Sequence, residues 1–372
     1  MESYIRKIYI LAIFLVVAFL FLFSGFLFFE RHNINTIKKQ NSITANQITN
    51  LLPSQSDKAN SRDEQPEKIF KMVFFGDLMI DRNVGIKIKQ KGLPYLFQQI
   101  RDSDLLKNRD IASCNLEGAV TNGGQHYPPN NEYDFAFSPE ITSQLKDSGI
   151  NFLNLANNHF FDQGERGVAE TKQNLDLMDF NYSGCPDGQI GECSSKIIDI
   201  NGQKIGLVGF SAVYKKIDQV EMNKIISDAA GKTDFLIVNF HWGAEYQHKF
   251  GVLQQEIAHN LIDAGADIII GHHPHVVQGI EIYNGKPIFY SLGNFVFDQY
   301  FSVDTQQGLA VILDLNRQKA EFSFIPTESK QSQPSLMEGE AKADFFSKLA
   351  GWSGGDVDYI EQIKSGKLIL ER

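Results

Sequence analysis

Carboxylates, amides and imidazoles stand directly behind apolar stretches of this 372-residue chain. Asp77 closes MVFFGD and Glu117 closes CNLE. Asn157, Asn158 and His159 close NFLNLANNH, His241 closes TDFLIVNFH, and His272, His273 and His275 close ADIIIGHHPH. Imidazole and carboxylate converging on one place form a donor set for a divalent transition metal, better suited to Mn, Fe or Zn than to Mg. A carboxylate shared between two ions would hold them roughly 3.5–4 Å apart and activate a bridging water. Each member also has a plainer role open to it. Gly-Asp after a strand is often only a turn. His272 could be a polar loop residue. His248 and His259 read as surface or helix-packing residues, and His126, in TNGGQHYPPN, as a substrate-side residue or nothing. Arg82, in GDLMIDR, could clamp an anion or pair with Asp81.

The apolar stretches that carry these residues read as short strands alternating with helices. KIFKMVFF, DIASCNL, NFLNL, KIGLVGFSA, TDFLIVNF, ADIII and KPIFYSL are near-continuous apolar runs, as in strands buried on both faces. GERGVAETKQNLDLMDF and FGVLQQEIAHNLIDAG keep a helical period, and Pro139 with Gly149 brackets a helix over 139–148. GLAVILDLNRQKAEFSFIPTES predicts paired strands. The pattern is a layered α/β domain with polar groups beyond strand ends, where such folds place their sites. No linker interrupts 69–327, so one large domain is expected there, with 328–372 as a peripheral helical addition.

Before this domain, Ile8 to Phe29 is a run of 22 residues without a charge. As a helix it would be roughly 33 Å long, about the thickness of a bilayer's hydrocarbon core. No small-residue cleavage site follows, which favours an uncleaved transmembrane anchor over a signal peptide. Residues 1–7 form a short tail and 30–68 a polar tether. Positive charges on the two sides nearly balance. The domain is placed outside the cytoplasm on the simpler topology of one short segment exporting a long body. Cys185 and Cys193 flank a Gly-rich stretch and would close a loop in an oxidising compartment, or stand as two free surface thiols. Cys114 reads as a buried small hydrophobe. The net charge of −10 argues against a nucleic-acid partner.

The segments FFGDLMIDR, NLEGAV, LANNHFFDQGERG, NFHWGAEY, GHHPHVVQGIE and FYSLGNFVFD, in this order over about residues 71–298, resemble the bacterial capsule-synthesis family associated with poly-γ-glutamate. That family's domain is similar to the calcineurin-like metallophosphoesterases. The resemblance implies an α/β/β/α sandwich behind an N-terminal transmembrane anchor. It implies one ion held by Asp77, Glu117 and His275, a second held by Glu117, Asn158, His241 and His273, and His159 as the acid. Position 79 is Met where the superfamily has a ligating His, and Glu117 stands where the bridging residue is usually Asp. The implied function is an extracytoplasmic, membrane-held metal-dependent hydrolase that makes, releases or attaches an anionic surface polymer. Its partners would be the bilayer through 8–29, the polymer or its precursor, and other polymer-synthesis membrane proteins. A non-catalytic assembly or transport component is the rival, and amide hydrolysis of a γ-glutamyl polymer a third reading.

Overall fold

Alternation along single strands builds the fold. In the strand Phe70–Leu78 (β1), Met72 and Phe74 join one apolar cluster while Val73 and Phe75 join another. In Gln203–Ser211 (β8), Leu207 joins the first cluster and Val208 a third. Side chains alternate across a strand, so each sheet buries both faces, and the first cluster is the layer where two sheets meet. The computed structural model describes residues 69–122 and 133–372. The anchor, the tether and His126 lie outside the described residues.

One sheet has nine strands. Ile111–Leu116 (β2), Phe152–Asn154 (β5) and Asn181–Ser183 (β6) extend parallel from β1, and Asn294–Val296 (β13) also pairs parallel with it. On its other side come the antiparallel strands Gln307–Leu315 (β14), Lys319–Lys330 (β15), Gln333–Leu336 (β16) and Lys367–Glu371 (β17). The second sheet has six strands: β8, Phe235–His241 (β9), Ile268–His272 (β10) and Lys286–Phe289 (β12) are parallel, and Ser195–Ile200 (β7) and Ile280–Tyr283 (β11) are antiparallel edges. A two-stranded piece, Ala119–Val120 (β3) with Ala136–Phe137 (β4), lies beside the first sheet's loops.

Helices cover both outer faces. Arg82–Lys91 (α1), Ile141–Asp147 (α2) and Gly164–Leu177 (α3) bring Val84, Leu145 and Leu175 against the first sheet. Gln219–Ala230 (α4) and Val252–Asp263 (α5) bring Met222, Ile226 and Leu261 against the second. The four layers are therefore α/β/β/α.

The segment 328–372 is not a peripheral addition. β15 runs through the expected boundary, β17 pairs with it, and the helices Gly339–Trp352 (α6) and Val357–Lys364 (α7) send Phe345, Phe346, Leu349 and Ile363 into the layer between the sheets. The described residues from 69 to 372 belong to one compact unit. The segment reads as polar in sequence because only one face of α6 and alternate residues of β17 are buried, enough to make a contiguous stripe.

Candidate metal centre

Strand register sets the first half of the site. Asn294, Asp77, Asn115 and Asn154 are consecutive partners across β13, β1, β2 and β5, so four polar side chains share one row, at the carboxyl ends of β1, β2 and β5 and at the start of β13. Pairing in β1 is irregular on both sides of Asp77, as at bulges that re-aim a side chain. Gly76 permits this, since a Cβ there would sit 1.8 Å from the Gly293 carbonyl oxygen. The row is bonded to itself. Asn115 Nδ2 donates to Asp77 Oδ1 at 2.8 Å, and Asn115 Oδ1 accepts from Asn154 Nδ2 at 2.9 Å and from Asn157 Nδ2 at 3.2 Å.

The second half comes from the other sheet, where Ser211, His241 and His272 form the matching row. Asn115 Nδ2 reaches His241 Nδ1 at 3.1 Å, and His241 Nε2 lies 2.7 Å from Asn158 Oδ1. With Nδ1 accepting, the proton sits on Nε2 and is donated to Asn158. Beyond β10 the chain turns through His273 (φ 98°) and His275 (φ 57°), backbone that non-glycine residues adopt at a cost and that clusters at functional sites. His273 N donates to Asp77 Oδ2 at 3.2 Å. His275 Nδ1 donates to Asn294 Oδ1 at 3.0 Å, which turns its Nε2 toward Glu117 Oε1, 3.8 Å away.

Asp77, Glu117 and His241 are wholly buried, and His272, His273 and His275 nearly so. Among the described residues neither oxygen of Glu117 has a hydrogen-bond partner, and neither does Nδ1 of His272 or His273. Buried polar atoms are seldom left so. Burial pushes the Glu117 carboxyl up to about 7, with Asp77 adding to the rise and His275 opposing it. Burial also acts to raise Asp77, but His272 and His275 hold it well below the carboxylate range. For His275, burial is outweighed by the Glu117 and Asp77 carboxylates, which push it up to about 9. His241 is pushed well down, and His273 to about 3, by burial and by neighbouring imidazoles. A divalent cation would satisfy the orphaned atoms and relieve the like charges, so these residues fit a metal. Among the described residues two sets have ligand atoms within 4.8 Å of one another: Asp77 with Glu117 and His241, and Glu245 with His273 and His275.

His159 stands at the edge of this centre. Its Nδ1 donates to Asp162 Oδ2 at 2.7 Å, its Nε2 lies 3.7 Å from Glu117 Oε1, and its ring packs on Phe135. Burial disfavours its charged form, but Asp162 and Glu117 prevail and raise its pKa. Arg82 does not pair with Asp81 through its side chain. It pairs with Asp298, 216 residues away, with its guanidinium 5.0 Å from the Phe135 ring centroid and 5.8 Å from that of Phe297. Asp81 instead accepts from the backbone N–H groups of Arg82 and Ala136. Met79 is buried in the helix-side cluster and its sulfur accepts from Asp81 N at 3.1 Å. His248 stacks on Trp352 and His259 on Tyr283, away from the centre. Cys185 and Cys193 form a disulfide, and Cys114 is free and buried.

Sequence reasoning placed Asp77, Glu117, Asn158, His159, His241, His273 and His275 at the site, and the structure brings them together. It passed over Glu245 as well as Asn115 and Asn294, and left His272 without a role. His272 Nδ1 is 3.5 Å from Asp77 Oδ1. Asn115 stands two residues before Glu117, inside a strand that also carries Ser113, and nothing in the sequence marks it.

Residues 71–299 match the family model described as bacterial capsule synthesis protein. The PGA biosynthesis protein CapA of Bacillus subtilis is 34% identical over 281 residues, covering 70% of this chain and 72% of the relative. The capsule biosynthesis protein CapA of Bacillus anthracis is 32% identical over 282 residues, covering 71% and 68%. Among solved structures, a novel phosphatase from Mycoplasma pneumoniae superimposes with a TM-score of 0.42 at 15% identity, covering 73% of this chain and 92% of that one.

Proposed function

The chain belongs to the bacterial capsule synthesis protein family, and from that membership we propose that it is a metal-dependent hydrolase of the phosphoesterase type acting outside the cytoplasm on an anionic surface polymer or its precursor. The observation that carries this reading is Glu117: a wholly buried carboxylate with both oxygens unpartnered, facing imidazoles from the opposite sheet. Asp77, Glu117, Asn158, His241, His273 and His275 would hold one or two ions of Mn, Fe or Zn. A bound ion would supply an activated water and a Lewis acid. His159 would protonate the leaving group from Nε2, because its Nδ1 proton is committed to Asp162 and its raised pKa keeps Nε2–H populated. Arg82, beside Phe135 and Phe297 at the rim, would bind the anion by exchanging part of its pairing with Asp298. Lys215, Lys216 and Lys249 lie along grooves next to Tyr214 and Trp242 and suit the same charge.

Residues 8–29 would hold the domain to the bilayer, in reach of other polymer-synthesis membrane proteins. The Cys185–Cys193 disulfide supports an oxidising, extracytoplasmic setting. Met79 favours the rival, a non-catalytic assembly component, because its burial removes the ligand that the superfamily has there. Elemental analysis of the full-length protein in detergent, with turnover on phosphomonoesters, phosphodiesters and polymer before and after chelation, separates the two. Chelation should abolish turnover and metal should restore it. Metal-loaded protein inert on every substrate, in cells where Glu117→Ala still supports polymer production, would establish the rival.

A further inference from the structure

We infer that Glu245 is a metal ligand, completing with His273 and His275 an outer, solvent-facing ion position distinct from the buried position at Asp77, Glu117 and His241. The inference rests on the metal reading above and goes beyond it, since the ligand sets implied by resemblance contain no residue from the loop after β9.

That loop is fastened to the histidine turn by its backbone. Trp242 N donates to His272 O at 3.0 Å, and Tyr246 N to Pro274 O at 2.8 Å. Tyr246 adopts φ 62° to do so. These bonds bracket Glu245 and bring its carboxylate within 4.8 Å of ligand nitrogens on His273 and His275. The Tyr246 hydroxyl next to it accepts from Gln299 Nε2 at 3.3 Å, which ties the end of this loop to the segment after β13. The two rings are prepared to receive an ion. His275 Nδ1 is committed to Asn294 Oδ1, and Asn294 Nδ2 donates to Thr305 O at 2.9 Å, which fixes the amide's orientation. That leaves His275 Nε2 as the ligand atom, the usual role of an outer-shell partner. His273 is 4% exposed and its Nδ1 has no partner. Glu117 Oε1, 3.8 Å from His275 Nε2, lies in reach of both positions.

The donor sets differ. Two imidazoles and one carboxylate with open coordination positions suit Zn or Fe, whereas two carboxylates and one imidazole make a harder, more enclosed set. The outer position is also the one a substrate can approach, because Glu245 is exposed and the inner three residues are not. On this assignment, Glu245 makes good the ligand that Met79 fails to provide.

The test uses the full-length chain, stripped of metal and dialysed against graded Zn, with bound metal counted by elemental analysis and folding checked by circular dichroism. Wild type should take up two equivalents, one tighter than the other. Glu245→Gln should retain the tight one and weaken the other at least about 100-fold, beyond the usual loss of an outer-shell partner. Glu245→Asp should recover part of that loss, and His241→Ala should remove the tight equivalent instead. Folded Glu245→Gln with wild-type stoichiometry and affinities would overturn the inference and leave the metal reading standing. Wild type that takes up no metal would overturn both. A single equivalent in wild type supports the inference if Glu245→Gln abolishes it and refutes it otherwise.

Discussion

The two sheets build their halves of the centre by different means. The first uses register: Asp77, Asn115 and Asn154 lie within strands, aligned by backbone pairing and bonded side chain to side chain. The second uses strand ends for His241 and His272, then a turn whose His273 and His275 sit at positive φ. A bonded row is preorganised by groups already satisfied, so changing it should cost stability first. A strained turn with unpartnered nitrogens is held by its surroundings for a ligand that completes it, so changing it should cost binding first.

The largest effect is expected where neither row acts. His159 is oriented by Asp162 and contributes to neither ligand set within 4.8 Å. His159→Gln should keep metal and fold and reduce turnover by about 10²–10⁴-fold, the range for a general acid. Loss of metal with loss of turnover would make His159 a ligand instead. Next is Asn115→Leu, which breaks the first row at its centre and takes the donor from Asp77 Oδ1 and His241 Nδ1, while Asn154 and Asn157 keep Ala156 O and Leu116 O as acceptors. At roughly 1–3 kcal/mol for each of the two groups left unsatisfied, the loss should be about 2–6 kcal/mol in denaturant unfolding. A smaller loss would show that register alone holds the row. Smaller again is the Cys185–Cys193 bridge beyond the row's far edge. Cys185→Ser with Cys193→Ser should lower stability by about 2–3 kcal/mol and leave metal uptake unchanged. A change in metal affinity would mean that the bridge tensions the 154–159 segment.

The same contrast explains what could be read from sequence. Strands buried on both faces appear as uninterrupted apolar runs, so a polar residue at their ends stands out. That made Asp77, Glu117, His159, His241 and the HHPH turn visible, and with them the α/β layering. Asn115 and Asn294 were hidden because an amide within a strand has no pattern of its own. Glu245 is four residues past its strand, and the Trp242–His272 and Tyr246–Pro274 backbone bonds, between residues distant in sequence, bring it to the histidines. The Arg82 partner was missed for the same reason, Asp298 being far along the chain. The segment 328–372 was misjudged because amphipathic elements conceal their burial among polar residues.

Glu117 is the residue where the two means meet, and it sharpens the contrast with a change of sign. Its carboxylate leaves the first sheet with no hydrogen-bond partner among the described residues and faces His275 beyond the second sheet's strand end. Its folded-state pKa, about 7, lies above the ordinary Glu value of about 4.3. A carboxyl raised on folding weakens the folded state: the penalty is absent below pH 4, grows between the two values and is complete above the higher one. The whole shift would be worth about 4 kcal/mol at about 1.4 kcal/mol per pH unit. Glu117→Gln also gives up the attraction to His275 and leaves an amide to satisfy, so the net gain in metal-free protein at pH 8 should be about 1–2 kcal/mol, vanishing near pH 4. In saturating metal the order should reverse, because the ion compensates the wild-type carboxylate and is bound less well by the amide. Paired unfolding curves at pH 4 and pH 8, with and without Zn, read all these differences. Glu117→Gln that is less stable than wild type in metal-free protein at pH 8 would mean that the carboxylate is satisfied by its imidazole neighbours alone, and that the centre needs no ion to hold its charges together.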